Sequence, residues 1–250
     1  TDKKKLKELV AKTIDKIKNS KRPVIYAGNG IRLAEAYKQF LSLVELLKIP
    51  VLTSYAGYDL MPSAHQYFFG RGHAFGQRAG NFVLQNSDLL LSIGARFDIR
   101  TIGFTYKAFA RAAYKIMVDI DMKEIKKPIL SIDLPVNFDA KDFIEEMIRQ
   151  LKENTLKLQI NDWLDYGRRL NKKYPVVLKE YWQEKNFVNN YCFIEAIGKQ
   201  LKPNELIVES NGVGPLNCMY QAFYVKPGQR IILNNGCAQM GYGLPAAVGV

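Results

Sequence analysis

The chain is 250 residues long and 48% hydrophobic, with 36 lysines and arginines against 24 aspartates and glutamates, a formal net charge of +12. That apolar share can fill one large core or two modest ones, which excludes a disordered or collagen-like chain. The basic excess raises nucleic acid as a partner, but the lysines are spread over helix faces and connections without a nucleic-acid motif, so a solvated basic surface is the reading.

Residues 1–20 carry periodic Leu6, Leu9, Val10, Ile14 and Ile17 and read as an amphipathic helix, not as a signal peptide. Residues 24–27 (VIYA) read as a buried strand, followed by the turn GNG at 28–30. The stretch 33–47 (LAEAYKQFLSLVELL) has apolar residues at three-and-four spacing and predicts one helix. Residues 49–54 (IPVLTS), 88–95 (DLLLSIGA) and 114–121 (YKIMVDID) predict three further strands, and 139–151 (DAKDFIEEMIRQL) a closing helix with an acidic first turn. Strands alternating with helices imply a mostly parallel sheet covered on both faces, a Rossmann-like α/β unit. From about residue 152 to 190 charged and aromatic residues dominate, which reads as a linker region with a helix. The alternation then restarts with a helix at 191–201, strands at 205–210 (ELIVES) and 230–234 (RIILN), and the glycine-rich tail NNGCAQMGYGLPAAVGV. The apolar runs are far too short to span a bilayer. Cys192, Cys218 and Cys237 are odd in number and far apart, suiting neither a disulfide framework nor zinc, so reduced thiols in a cytoplasmic protein are expected.

Four segments carry chemistry. Gly28 and Gly30 stand at a strand-to-helix turn, where backbone can approach a phosphate, and a tight turn needing positive φ is an equal reading. The run GARFDIR (94–100) follows a strand, where ligands of open parallel sheets gather, and its arginines suit a phosphate-bearing ligand; an Arg–Asp cluster closing a loop is the plainer reading. The loop RGHAFGQRAG (71–80) could wrap a cofactor or simply turn. In NNGCAQMGYGLPAA (234–247), Gly236, Gly241 and Gly243 surround Met240, so a cofactor could lie against main chain with one large apolar side chain beneath it.

GARFDIR, then VDIDMKEIKKP followed by FDAKDF, and finally MGYGLPAAVG stand in the same order as in acetolactate synthase and its thiamine-diphosphate-dependent relatives, which the chain resembles over nearly its whole length. The resemblance implies a central domain at 1–151, a linker at 152–190 and the first part of a diphosphate-binding α/β domain at 191–250, within a longer protein whose activating glutamate and Mg²⁺ ligands lie elsewhere. It implies that thiamine diphosphate contacts Gly212, Val213, Gly214, Ala238, Met240 and Gly241, with Met240 under the bent cofactor. It implies FAD in the central domain at Thr53, Gly70, Arg71, Gly72, His73, Gly94, Ala95, Arg96, Asp98, Arg100, Asp119 and Asp139, with the Gly28 and Gly30 turn as a further candidate cofactor contact. The activity implied is decarboxylation of a 2-keto acid, pyruvate foremost, and transfer of the two-carbon unit to an acceptor by a cytoplasmic homodimer or homotetramer. The isolated 250 residues are expected to be inactive.

The family follows GVG with a Gln-His pair that contacts the diphosphate, and here Pro215 and Leu216 stand in its place. Two donors are lost together, so Asn211 or Asn217 would have to serve, and a sibling 2-keto acid decarboxylase stays open. A nucleotide-binding module without thiamine chemistry is the other alternative, against which MGYGLPAA argues.

Overall fold

The computed structural model describes residues 2–72, 74–210, 213–234 and 236–250, with the backbone alone at 213–216. His73, Asn211 and Gly212 therefore lie outside the described residues, and only the main chain of Val213, Gly214, Pro215 and Leu216 is described.

In chain order the elements are α1 (Lys3–Lys18), β1 (Pro23–Ala27), α2 (Gly30–Leu33), α3 (Tyr37–Leu47), β2 (Val51–Thr53), α4 (Arg78–Asn86), β3 (Leu89–Ile93) and α5 (Ile99–Ile102). A 3-10 turn (Tyr106–Ala108), β4 (Tyr114–Val118), α6 (Met122–Ile125), β5 (Leu134–Val136), α7 (Ala140–Glu153) and α8 (Asn161–Lys173) follow. A second 3-10 turn (Lys179–Gln183) leads to α9 (Asn190–Gln200), β6 (Leu206–Val208), α10 (Val213–Ala222), β7 (Arg230–Ile232) and α11 (Gly243–Val248).

The first five strands form one sheet in the order β2-β1-β3-β4-β5, and every pairing is parallel. Burial explains the apolar runs: β1 and β3 are buried at every position, as central strands covered on both faces must be. Helix α1 presents Leu6, Val10, Thr13 and Ile17 to the core, and α7 presents Phe143, Ile144, Met147 and Leu151. Each such large side chain contributes roughly 1.5–3 kcal/mol when fully buried. Residues 160–164 join the same core through Ile160, Trp163 and Leu164, and the Trp163 indole N–H donates to the Pro23 carbonyl at 3.1 Å. The stretch read from sequence as a linker thus includes a helix docked on the sheet.

The helix expected over 33–47 is two helices. The chain turns at Glu35, whose φ is +55°, and the Glu35 and Ala36 amides donate to the Arg32 and Ile31 carbonyls, each at 2.9 Å. This pair of bonds closes α2 in the manner usually marked by glycine, and a glutamate in that place gives no warning. Strand β5 and helix α4 carry no clear period in the sequence: β5 is a three-residue edge strand containing Pro135, and α4 lies partly inside the loop expected at 71–80.

Strands β6 and β7 form a second, two-stranded parallel sheet. Its core contains Ile194, Cys218, Met219, Tyr220, Phe223, Val225 and Ile231, together with Tyr55 and Tyr58 from the loop after β2. No helix among the described residues is long and apolar enough to cross a membrane.

Candidate functional site

In the order β2-β1-β3-β4-β5 the connections run in opposite directions from β1 and β3, so the crevice outside their carboxyl ends is the topological switch point where open α/β sheets hold ligands. Here the backbones close on each other. Gly28 donates to the Ile93 carbonyl and Gly30 to the Gly94 carbonyl, each at 2.9 Å. A Cβ on Gly28 would stand 2.2 Å from the Gly94 oxygen, and Gly94 itself has φ +59°. Gly28, Gly30 and Gly94 are therefore glycine for close main-chain approach, and Gly30 and Gly94 form the floor of the crevice.

A cleft of about 1040 Å³ opens above that floor. Gly30, Gly94, Ala95, Arg96, Asp98, Arg100, Asp119 and Asp139, all expected from sequence, line it. Strand ends explain the gathering: GARFDIR leaves β3, Asp119 follows β4, and Asp139 follows β5. Asp98 and Asp139 also cap helices. Asp98 accepts from the Thr101 amide at 2.9 Å to start α5, and Asp139 from the Lys141 amide at 2.7 Å to start α7. Asp119 accepts from the Asp121 amide at 2.9 Å, and burial is the main force pushing its carboxyl above the usual range. Arg96 is largely exposed and paired with Glu124 at 3.1 Å. The Arg100 guanidinium lies 6.0 Å from the centre of the Tyr55 ring.

Other expected residues stand apart from the cleft. Gly28 lies under its floor. Thr53 is wholly buried at the end of β2, its hydroxyl oxygen without a hydrogen-bond partner among the described residues. The Gly72 carbonyl accepts from the Tyr26 hydroxyl at 2.6 Å, and the Gly70 carbonyl accepts from the Thr53 amide at 3.2 Å. Arg71, 1% exposed, is packed among the Tyr58, Phe68 and Tyr220 rings and donates to the Phe223 carbonyl at 3.1 Å. It fastens the β2–α4 loop to the second core and does not reach the cleft.

Sequence reasoning missed part of the lining. Ser54, Tyr55 and Ala56 come from the end of β2, and Arg230, Ile231, Ile232 and Leu233 come from the second sheet. The strand-end rule could have found the first group, but no local signal marks the second. Leu33, Ile99 and Ile120 line the same cleft as exposed apolar side chains, a rim suited to a planar ring.

Beyond β7 the chain enters the glycine-rich tail. Ala238 and Gly241 both have positive φ, at +52° and +83°, and Met240 between them is 93% exposed. Gly243 packs against Ser210 after β6, where an added Cβ would come within 2.4 Å of the serine Cβ. The segment thus presents main chain and one large thioether at the end of the second sheet. Near it, Glu209 is 3% exposed: one carboxyl oxygen accepts from the Tyr58 hydroxyl at 3.3 Å, and the other has no partner among the described residues. Burial pushes this carboxyl up to about 8, with Tyr58 and Arg71 opposing. Among the described residues no group of three His, Cys, Asp or Glu side chains forms a metal cluster.

Residues 10–147 match the family model of the thiamine pyrophosphate enzyme central domain. The chain is 34% identical to a probable acetolactate synthase large subunit of Methanococcus aeolicus, over 96% of this chain and 41% of that protein. It is 30% identical to the acetolactate synthase large subunit of Corynebacterium glutamicum, over 96% of this chain and 38% of that one. With the acetolactate synthase isozyme 3 large subunit of Escherichia coli K12 it shares 28% identity, over 92% and 40% respectively. The chain spans about two fifths of the length of these curated relatives.

Proposed function

Because the chain belongs to the thiamine pyrophosphate enzymes through their central domain, we propose that the intact protein uses thiamine diphosphate and Mg²⁺ to decarboxylate a 2-keto acid, pyruvate foremost, and to pass the two-carbon unit to an acceptor. The same reading puts FAD in the cleft, divides the chain at 1–151, 152–190 and 191–250, and makes the protein a cytoplasmic homodimer or homotetramer. The carrying observation is that one cleft takes its walls from both sheets and is joined through β7 to the segment bearing Ala238, Met240 and Gly241.

The cleft fits a dinucleotide on its own chemistry. Arg96 and Arg100 would hold the diphosphate, since planar guanidinium forks bind such oxygens bidentately. Asp119 would accept from ribose hydroxyls with the carboxyl oxygen that the Asp121 amide leaves free. Leu33, Ile99 and Ile120 would cover the ring. For thiamine diphosphate, Ala238 and Gly241 offer main chain in left-handed turns and Met240 an exposed apolar support. When bound, thiamine diphosphate supplies the carbon nucleophile and electron sink that loss of CO2 from a 2-keto acid requires. The residues of this chain bind, orient and shield; the proton-transfer group and metal ligands belong to other parts of the intact protein, so the 250 residues alone turn over no pyruvate.

Pro215 and Leu216 support a second reading, a sibling decarboxylase, because neither side chain can donate to a diphosphate. The test is CO2 release from pyruvate by the intact protein with thiamine diphosphate, Mg²⁺ and FAD omitted in turn. Dependence on the first two supports the class, and dependence on FAD as well supports the acetolactate synthase-like branch. Release of CO2 without either thiamine diphosphate or Mg²⁺ would refute the proposal.

A further inference from the structure

Helix α2 and strand β7 supply two walls of the cleft, and a single buried carboxylate holds both. Asp59, 2% exposed in the loop after β2, accepts through one oxygen from Arg32 Nε at 3.0 Å. Its other oxygen accepts from Arg230 Nη1 at 2.6 Å and from the Ile231 amide at 2.9 Å. The Asp59 carbonyl takes a further bond from Arg32 Nη2 at 3.1 Å. Arg32 is fixed from a third side, with its guanidinium 4.3 Å from the centre of the Tyr37 ring. Charge-assisted bonds from two guanidinium groups and an amide tie this one carboxylate to α2 and to β7 together.

Its position has a consequence for binding. Helix α2 begins at Gly30 on the cleft floor and ends at Leu33 on the rim, in a turn closed at Glu35. Strand β7 runs from Arg230 through Ile232 into residues 233–243, where Ala238 and Gly241 take positive φ and Met240 is exposed. A ligand seated against Gly30 and Leu33 therefore bears, through Arg32 and Asp59, on the start of β7 as well. A second ligand binding beyond β7 then has less conformational freedom left to remove, which is positive coupling without any change of shape.

We propose that Asp59 is a positioning residue that couples the nucleotide cleft to the thiamine segment, so that occupancy of either raises affinity at the other. This rests on the reading of the two sites given above. By linkage the effect is the same in both directions.

The test measures the affinity of the intact protein for thiamine diphosphate with Mg²⁺, by calorimetry, with and without saturating ADP or FAD. The wild-type protein is expected to bind thiamine diphosphate at least about fivefold more tightly when nucleotide is present. Asp59→Asn keeps the shape and removes the charge, and its ratio should fall towards one while each ligand still binds alone. Arg32→Gln cuts only the α2 arm at a partly exposed position and should lower the ratio in the same way, which guards against a D59N protein that does not fold. A purely structural role would weaken each affinity yet leave the ratio unchanged. An unchanged ratio in both variants, or a ratio of one in the wild-type protein, overturns the coupling. Absence of any ADP or FAD binding to the wild-type protein overturns the nucleotide reading itself, an outcome distinct from binding without coupling.

Discussion

The core around β1–β5 is almost entirely aliphatic and phenyl side chains, whereas the core against β6 and β7 is tyrosine-rich and has Arg71, Glu209 and Asp59 buried beside it. The first closes upon itself: α1, α7 and α8 cover a five-stranded sheet with residues from residue 6 to residue 164. The second takes Tyr55 and Tyr58 from the loop after β2, and polar bonds hold that loop in place. Tyr220 donates to the Thr53 carbonyl at 3.2 Å, Gln77 to the Gln221 carbonyl at 2.7 Å, and Gln221 to the Phe75 carbonyl at 2.7 Å. Apolar burial is non-directional and tolerates small displacements, whereas these bonds lose most of their strength when misaligned. The cleft lies where the two kinds of construction meet, so its floor is rigid and its far wall depends on a polar network.

The contrast can be broken most forcefully from the apolar side. Phe143, wholly buried on α7, should cost about 3–5 kcal/mol when truncated in Phe143→Ala. Urea unfolding should show the entire β1–β5 unit destabilised. From the polar side, Arg71→Ala removes a buried guanidinium and leaves the Phe223 carbonyl without its donor and the Tyr58 and Tyr220 rings without their cation, a loss of roughly 1–3 kcal/mol. Here hydrogen exchange should quicken in α9, α10 and β7 and stay nearly unchanged in β1 and β3. Equal loss of protection in both regions would contradict the division.

Glu209 sharpens the comparison through pH. Its folded carboxyl titrates near 8 against 4.5 for the ordinary group, so between those values the folded state holds a proton that the unfolded chain has released. That contribution is complete below the unfolded value and is lost as pH rises through about 8. Urea midpoints of the wild-type protein should fall across this window, and Glu209→Gln, which cannot ionise, should flatten the slope. A slope unchanged by the substitution would mean that another group carries it.

The smallest effect separates capping from binding at Asp139. Asp139→Ala should cost about 1 kcal/mol through loss of the α7 cap, while Asp139→Asn keeps the cap and removes only the charge. Thermal melts should rank the wild-type protein and Asp139→Asn together above Asp139→Ala. A nucleotide-affinity loss in Asp139→Asn would assign the carboxylate to the ligand as well as to the helix.

The same division governs what the sequence disclosed. Apolar runs and three-and-four spacing gave the sheet's central strands and α1, α3 and α7, because a buried strand or an amphipathic helix needs those patterns to exist at all. The edge strand β5 has too few residues to show a period, and the break at Glu35 uses a residue that does not advertise left-handed backbone. For the cleft, GNG and GARFDIR were legible as strand-end residues, and Asp119 came through the resemblance. Arg230 and Asp59 were not, since a bond between residues 171 apart in the chain leaves no mark on its neighbours. Arg71 was assigned to the ligand by resemblance, and the structure puts it under tyrosine rings.

The claim that the cleft at the switch point is a nucleotide site is tested most directly by titrating the intact protein with FAD and with ADP in a calorimeter. Saturable binding of one nucleotide per chain is expected, weakened by about tenfold or more in Asp119→Ala, as loss of a charged hydrogen-bond acceptor implies. No saturable binding of either nucleotide, or binding that Asp119→Ala and Arg100→Ala both leave untouched, would contradict it.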